Sequence, residues 1–205
     1  MAEIAGVLLA GGLSRRMGGG DKCLRLLAGR TILARVIERA LPQVTSLLIN
    51  ANGDGARFAG YGLPVRGDVV EGFAGPLAGV LTGMEWAREA VPRAKLLASF
   101  ATDAPFLPRD LVARLNQALA QGKADIACAR SGGQSHPVFA LWRLALADDL
   151  RHALVEEGVR KVDVWTARHR LVEVEFASIP VDAFFNTNRP EDLAEAEALL
   201  ARMGA

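Results

Sequence analysis

The 205-residue sequence has almost no net charge, because 24 lysines and arginines are balanced by 23 aspartates and glutamates, which gives +1 at pH 7. Binding to nucleic acid or to an anionic membrane normally requires a clustered basic face, and this balance gives no sign of one. Apolar runs are short, and none approaches the roughly 18 residues of a membrane-spanning helix. Only two cysteines are present, Cys23 and Cys128, so neither a disulfide framework nor a zinc knuckle is expected.

The remaining composition is that of a folded domain. Hydrophobic residues make up 51% of the chain and charged residues 23%, which argues against disorder. No internal repeat, low-complexity tract or long linker divides residues 1–205, so we expect one domain. The N-terminal segment MAEIAGVLLAGG has no basic stretch ahead of its apolar run, so no signal peptide is predicted. We therefore expect a cytoplasmic protein with reduced thiols.

Short apolar runs alternate with amphipathic stretches along the chain. The run from Ile4 to Leu9 is typical of a buried parallel strand, and residues 31–41 place apolar side chains at helical spacing before Pro42. Further strands are predicted at 46–49, 63–65, 95–100, 125–129, 138–142 and 171–176, and further helices after Gly75-Pro76 and over 108–120, 145–156, 161–168 and 190–201. This alternation predicts an α/β domain with a mainly parallel central sheet and helices on both faces.

The loop after the first strand contains the strongest functional signal. Gly11 and Gly12 allow a sharp turn that brings backbone N–H groups close to an anion. Arg15, Arg16 and Lys22 add three cations to the same loop, so amides and charges together suit a polyphosphate. The alternative is a mobile glycine loop with solvated charges. Arg15 in particular fits a ligand contact or a solvated position equally well.

Two common phosphate-binding patterns do not match this loop. The Walker motif requires Gly-Lys followed by Ser or Thr, whereas Lys22 follows Asp21 and precedes Cys23. The dinucleotide fingerprint requires a compact turn into a helix, and this loop is too long, so a nicotinamide oxidoreductase is disfavoured. Asp21 stays open between binding a second metal ion and orienting the lysine or its loop.

Asp103 follows the predicted strand at 95–100 and precedes Ala104-Pro105. In an open α/β sheet, ligands bind outside the carboxyl ends of the strands, so this carboxylate would face the glycine loop. A hard cation such as Mg²⁺ takes carboxylate and phosphate oxygens, which makes Asp103 a candidate metal ligand. The alternative is that Asp103 only caps a turn.

Four further polar residues lie at the ends of predicted elements. Asn50 and Asp68 end strands and suit a purine edge or a ribose, although both residue types also form turns. Asn186 and Asn188 flank Thr187 just before the last helix. Capping of that helix by Asn188 explains one of these asparagines but not both.

Several of these segments together resemble one enzyme family. The segment LLAGGLSRRMGGGDK is similar to the signature of the nucleotidyltransferases that act on the molybdenum cofactor, and more widely of sugar-nucleotide pyrophosphorylases. The pieces LLINAN, VRGD, EGFAGPLAGV, TDAPFLP and FFNTNRPEDL match in the same order. Within the family the chain is most similar to the guanylyltransferases, over nearly its whole length. The resemblance implies a Rossmann-like, glycosyltransferase-A-like fold.

The resemblance also implies a reaction, in which the phosphate of Mo-molybdopterin attacks the α-phosphorus of GTP and pyrophosphate leaves. It places Leu9, Ala10, Gly11, Gly12 and Lys22 at the nucleotide, Asn50 and Asp68 at the guanosine, Asp103 on Mg²⁺ and on the nucleotide, and Asn186 and Asn188 on the pterin side. The N-terminal half would bind the nucleotide and the C-terminal half mainly the pterin. Lys22, Arg16 and Asp103 would be the catalytic residues, with the two cations neutralising the β- and γ-phosphates. The attacking phosphate is already ionised at neutral pH, so no histidine is assigned as a base.

Three alternatives stay open at this point. A cytidylyltransferase on the same cofactor is the nearest, but those relatives tend to have alanine where this chain has Gly12. A sugar-1-phosphate nucleotidyltransferase usually carries more sequence after the nucleotide domain. A non-catalytic GTP-binding adaptor would have no need of Asp103. The resemblance further implies transient contact with cofactor-insertion proteins and molybdoenzyme apoproteins, and nothing in the sequence demands more than a monomer.

Overall fold

A seven-stranded sheet forms the centre of the computed structural model, which describes residues 3–11, 21–72 and 75–202. The strands in spatial order are β5 (Val65–Arg66), β4 (Ser46–Asn50), β1 (Ile4–Leu9), β6 (Leu96–Ala101), β8 (Gln134–Arg143), β7 (Ile126–Ser131) and β9 (Leu171–Phe176). A separate two-stranded hairpin pairs β2 (Leu26–Leu27) with β3 (Arg30–Thr31). The predicted Gly12 and Arg16 lie outside the described residues, as does Arg15.

The pairing is mainly parallel, which confirms the predicted fold class. β1 pairs in parallel with both β4 and β6, β4 pairs in parallel with β5, and β7 does so with β9. Only β8 runs in the opposite direction, antiparallel to β6 and β7. The carboxyl ends of β1, β4, β6, β7 and β9 therefore meet at one edge of the sheet, which is where such sheets bind ligands.

Helices cover both faces of this sheet. They are α1 (Ile32–Ala40), α2 (Pro76–Ala90), α3 (Leu111–Gln121), α4 (Ala147–Val155), α5 (Val162–Thr166) and α6 (Pro190–Arg202). Consecutive strand residues point to opposite faces, so Val7 packs with α2 and α4 whereas Leu8 packs with α1 and α3. Strands buried on both faces explain why β1 is a nearly continuous apolar run.

Helix α2 lies unusually close to the sheet because two of its residues are glycines. A Cβ atom at Gly83 would lie 2.8 Å from the Cβ of Val7, and one at Gly79 would lie 2.6 Å from Cδ2 of Leu9. Both distances are shorter than normal van der Waals contact, so any larger residue would push the helix away. This close approach brings the beginning of α2 to the carboxyl ends of β1 and β4.

Four predicted boundaries were wrong. The strand predicted at 138–142 begins at Gln134, because a tight turn at Gly132-Gly133 lets it pair with β7 from Ser131 onward. The helix predicted over 108–120 begins only at Leu111, because Pro108 to Asp110 form a turn. The strand predicted at 63–65 lies at Val65–Arg66, where the backbone pairs with Ile49 and Asn50. The helix predicted over 161–168 is a short one at Val162–Thr166. Within the described residues, no helix is both long and apolar enough to cross a membrane.

Candidate functional site

The carboxyl ends of β1, β4 and β6 are joined by hydrogen bonds. The backbone N–H of Ala10 donates to the carbonyl of Asn50 at 2.9 Å, and the hydroxyl of Thr102 donates to the carbonyl of Leu9 at 3.2 Å. Gly11, the last residue described before the glycine loop, is exposed. The predicted Leu9, Ala10, Gly11 and Asn50 therefore lie at one edge, next to the segment that contains Asp103.

Asp103 forms an ion pair with Lys22, which lies in a short 3-10 helix at Lys22–Leu24. The lysine Nζ is 2.7 Å from Oδ2 of Asp103, and the two side chains are 15% and 26% exposed. The same Nζ donates to Oδ1 of Asn188. Two residues predicted for the polyphosphate and the metal thus lie in direct contact, although they follow different strands, β1 and β6, and are 81 residues apart in the chain.

The segment 186–188 is attached to Asp103 by its backbone and its side chains. Thr187 donates twice to the carbonyl of Asp103, from its N–H at 3.0 Å and from its hydroxyl at 3.1 Å. With its amide oriented so that nitrogen faces the carboxylate, Asn186 donates to Oδ1 of Asp103 at 3.2 Å. The two asparagines that helix capping alone does not explain both face the Lys22–Asp103 pair.

Residues before this segment fix it to the β7–β8 hairpin. The Ser131 hydroxyl donates to Oδ1 of Asp182 at 2.9 Å, and Ser131 Oγ lies 2.7 Å from Nε2 of His136. An ionised carboxylate can only accept a hydrogen bond, so the Ser131 hydroxyl donates to Asp182. The Ser131 oxygen therefore accepts from the Nε2–H of His136. The His136 ring also stacks on Phe184 at 4.7 Å between centroids, and burial lowers the pKa of His136. Sequence reasoning missed Ser131 and Asp182, since neither belongs to a recognisable motif.

A second polar cluster lies at the ends of β4 and β5. Asn50 is only 3% exposed, and its Nδ2 donates to Oδ1 of Asp68 at 2.9 Å. Asn52 donates to the other oxygen of Asp68 at 2.8 Å and accepts the Asp68 backbone N–H at 2.8 Å. Sequence reasoning predicted Asn50 and Asp68 but missed Asn52, which the repeated asparagine in LLINAN could have indicated.

Asp21 is held by Arg57, from the 3-10 helix at Gly55–Tyr61 that follows β4. The Nε of Arg57 donates to Oδ2 of Asp21, and its Nη2 donates to the carbonyl of Asn52 at 2.8 Å. Asp21 was predicted either to bind a second metal ion or to orient Lys22 or its loop, and this contact favours the orienting role. Arg57 was not predicted, because a single arginine in a polar turn is usually a solvated residue.

A buried cysteine next to Lys22 and the metal-binding capacity of the site bear on its mechanism. Burial raises the pKa of the Cys23 thiol to about 11, so this cysteine stays protonated at neutral pH and is a poor nucleophile. Within 3–11, 21–72 and 75–202, no group of three or more His, Cys, Asp or Glu side chains could hold a metal ion. Beside Lys22 the site offers the Asp103 carboxylate and the side-chain amides of Asn186 and Asn188.

This arrangement defines the class of the protein. A mainly parallel sheet with a glycine-rich sequence after β1, a lysine paired with a carboxylate after β6 and amide groups after β4 is typical of an α/β nucleotidyltransferase. The family model for the MobA-like NTP transferase domain matches residues 6–171, and the chain belongs to that family.

Curated relatives match nearly the whole chain. It is 57% identical over 198 residues to the molybdenum cofactor guanylyltransferase of Bradyrhizobium sp. (strain ORS 278), covering 97% of this chain and 93% of that protein. It is 52% identical over 204 residues to the protein of the same name from Mesorhizobium japonicum, covering 98% of both.

Solved structures share the fold. The molybdopterin-guanine dinucleotide biosynthesis protein A of Archaeoglobus fulgidus superposes with a TM-score of 0.76 at 22% identity, covering 97% of this chain and 100% of that one. A CMP:2-keto-3-deoxy-manno-octonic acid synthetase complexed with CTP superposes with a TM-score of 0.73 at 15% identity, covering 98% and 99%. At these identities the likeness concerns the fold alone.

Proposed function

We propose that this protein transfers GMP from GTP to Mo-molybdopterin and releases pyrophosphate, yielding the guanine dinucleotide form of the cofactor. Relatives named molybdenum cofactor guanylyltransferase, 52–57% identical over nearly the full chain, support GTP as the nucleotide. The observation that carries the proposal is the Lys22–Asp103 pair at the carboxyl edge of the sheet, where a cation and a carboxylate would meet the same phosphate groups.

We assign the nucleotide to the edge formed by β1 and β4. Leu9, Ala10 and Gly11 would line it together with Gly12, and Asn50 and Asp68 would contact the guanosine. Asp68 suits a guanine because its carboxylate accepts hydrogen bonds, and the guanine Watson–Crick edge offers two N–H donors. The buried Asn50 and the paired Asn52 hold that carboxylate by both oxygens, so it is positioned before the nucleotide arrives.

Lys22 and Arg16 would neutralise the β- and γ-phosphates and the departing pyrophosphate. Phosphoryl-type transfer depends on alignment and charge neutralisation more than on covalent help from the protein. The Lys22 side chain is only 15% exposed, and partial removal from water would strengthen its interaction with phosphate oxygens. We assign Arg16 to the same triphosphate from its position in the glycine loop.

The donor set fits a magnesium ion that arrives with the nucleotide. Mg²⁺ usually takes one or two carboxylates and completes its shell with substrate phosphates and water. Asp103 supplies one such carboxylate, and the described residues hold no cluster that would form a dedicated protein cage. When bound, the ion would supply positive charge that neutralises the negative charge developing on the phosphates. Asp103 is therefore the proposed metal ligand.

We place the pterin on the C-terminal half of the chain. Asn186 and Asn188 contact Asp103 and Lys22, so a ligand bound by these asparagines would lie beside the proposed triphosphate site. An oxygen of the pterin phosphate would form a bond to the α-phosphorus as the bond from that phosphorus to the bridging oxygen breaks. The attacking phosphate is ionised at neutral pH, so His136, His152 and His169 need not act as bases.

We propose that the protein acts as a monomer in the cytoplasm. The finished cofactor must reach its enzyme, so we also propose transient contact with cofactor-insertion proteins and molybdoenzyme apoproteins. Nucleic acid is not an expected partner.

Titration calorimetry with GTP, CTP, ATP and UTP, each with and without Mg²⁺, tests the choice of nucleotide. We expect heat of binding with GTP and Mg²⁺ and little with the other three. A preference for CTP would move the substrate assignment to cytidylyl transfer and overturn the guanine assignment. Binding of GTP without turnover when molybdopterin is added would instead favour the adaptor that delivers cofactor.

A further inference from the structure

We propose that Arg57 is a positioning residue that joins the triphosphate end of the site to the guanosine end. Its guanidinium donates in three directions: Nε to Oδ2 of Asp21, Nη1 to the carbonyl of Asp54, and Nη2 to the carbonyl of Asn52 at 2.8 Å. The arginine thus connects two segments 36 residues apart in sequence. This inference rests on the proposed function, because it concerns how the same nucleotide is held.

Each end of the connection leads to a proposed nucleotide contact. Asp21 directly precedes Lys22, and its carbonyl accepts the N–H of Leu24 at 3.0 Å, which closes the turn that presents the lysine. On the other side, the Asn52 side chain pairs twice with Asp68. Arg57 therefore couples the residue before the phosphate-binding lysine to the residue that holds the guanosine carboxylate.

The environment of Arg57 differs from that of an ordinary surface ion pair. Its guanidinium lies 4.6 Å from the ring centre of Phe58, which is fully buried in the core, and the Arg57 and Asp21 side chains are 28% and 20% exposed. By contrast, Arg88 pairs with Asp148 where the side chains are 41% and 83% exposed. Exposed ion pairs of that kind contribute little to stability. A partly buried guanidinium that stacks on an aromatic ring holds its hydrogen-bond partners in fixed positions.

Lysine cannot replace arginine at this position. A guanidinium is planar and points its donors in fixed directions, and it stacks on an aromatic ring, whereas an ammonium is a compact point charge. Arg57→Lys would keep the positive charge near Asp21 but lose at least one of the carbonyl contacts. The guanosine end has its own support from Asn50 and Asp68, so the triphosphate end should suffer more.

The test compares Arg57→Lys with the control variant Arg88→Lys. Arg88 also donates to a carboxylate, that of Asp148, and to a carbonyl, that of Leu144, but it lies on the α2–α4 side of the sheet. Amide hydrogen exchange of Leu24 and Arg25, calorimetric affinities for GTP and for guanosine, and steady-state kinetics are measured for both variants. For Arg57→Lys we expect exchange at the two amides to be faster, and the affinity for GTP to fall about tenfold. The KM for GTP should rise, whereas kcat should stay within about threefold of the wild-type value. The affinity for guanosine should change less than about twofold.

Asp21→Asn and the double variant complete the comparison. If the two residues act through each other, adding Asp21→Asn to Arg57→Lys should weaken GTP binding little further. Unchanged exchange and unchanged GTP affinity in Arg57→Lys would overturn the inference, as would equal losses for GTP and guanosine. If the wild-type protein neither bound nor used GTP, the proposed function would fail, while the exchange rates would still decide whether Arg57 holds the Lys22 turn.

Discussion

The Nζ of Lys22 lies 2.7 Å from Oδ2 of Asp103, across 81 residues of sequence. The two side chains are 15% and 26% exposed, Asn186 donates to Asp103, and Asn188 accepts from Lys22. A triphosphate that binds here would bring anionic oxygens to the lysine and, with its metal ion, to the carboxylate. Under the proposed function, each partner keeps the other in position until substrate takes over both contacts.

The lysine of this pair should be needed for catalysis. Replacing Lys22 by Met removes the cation that faces the phosphates and leaves Asp103 without its ionic partner, so we expect kcat/KM for GTP to fall about 10²- to 10³-fold. Lys22→Arg should retain part of the activity because the charge remains. The matched control is Lys95→Met, at the amino end of β6 away from the site. Steady-state kinetics measure all three, and a fully active Lys22→Met protein would remove the lysine from the mechanism.

The guanosine assignment predicts the outcome of Asp68→Asn. Both oxygens of Asp68 accept from asparagine amides, so an amide nitrogen in place of either oxygen would set donor against donor. We expect the affinity for GTP to fall at least about tenfold while the weak affinity for ATP stays unchanged, so that the preference for GTP shrinks. Calorimetry with both nucleotides measures this, and exposed Asp110→Asn is the control. An unchanged ratio of the GTP and ATP affinities would show that Asp68 does not read the base.

The close packing of α2 predicts a sensitive glycine. A Cβ at Gly79 would collide with the amide oxygen of Asn50 and lie 2.6 Å from Cδ2 of Leu9, whereas a Cβ at Gly60 would meet nothing within 4 Å. Gly79→Ala should lower the free energy of unfolding by about 1–3 kcal/mol and weaken GTP binding, because Asn50 must move. Gly60→Ala should do neither. Urea unfolding and calorimetry compare the two, and equal behaviour would contradict the packing account.

The buried thiol of Cys23 predicts a loss of stability in alkali. Its pKa is raised by burial from 9.0 to about 11, so the unfolded chain releases the proton at lower pH than the folded protein does. This contribution is fully present below pH 9 and is lost as the pH rises to about 11, amounting to roughly 1–3 kcal/mol. Urea unfolding at pH 8 and pH 10.5 should therefore show a steeper decline for wild type than for Cys23→Ala. Parallel declines would mean that the thiol is not held neutral.

Much of the fold was predictable from local pattern. β1 and β6 are buried apolar runs, and the α1 pattern begins at Thr31, whose hydroxyl accepts the N–H of Ala34 at 3.1 Å as a helix cap. The predicted start of α3 was wrong because Pro108 is compatible both with the first turn of a helix and with the turn that it forms. The local sequence pattern does not distinguish these two conformations, because the packing of the surrounding residues determines which one forms.

The candidate site was predicted as separate residues but not as a cluster. Lys22, Asp103, Asn186 and Asn188 were each proposed from motifs, yet their mutual contacts depend on how the chain returns to one edge of the sheet. Supporting contacts such as Arg57 with Asp21 join residues of ordinary type in polar loops, and no local pattern marks them. Gly12 and Arg16, which lie outside the described residues, stay predictions.

Transfer of the α-phosphate of GTP is the central claim, and isotope labelling tests it most directly. Wild-type protein, Asp103→Asn and the control Asp110→Asn are each incubated with Mg²⁺, Mo-molybdopterin and GTP labelled at either the α- or the γ-phosphate. The account predicts that the α-label enters the pterin product and the γ-label leaves as pyrophosphate, with the rate about 10²- to 10³-fold lower in Asp103→Asn only. Release of the γ-label as inorganic phosphate, or full transfer by a folded Asp103→Asn protein, would contradict it.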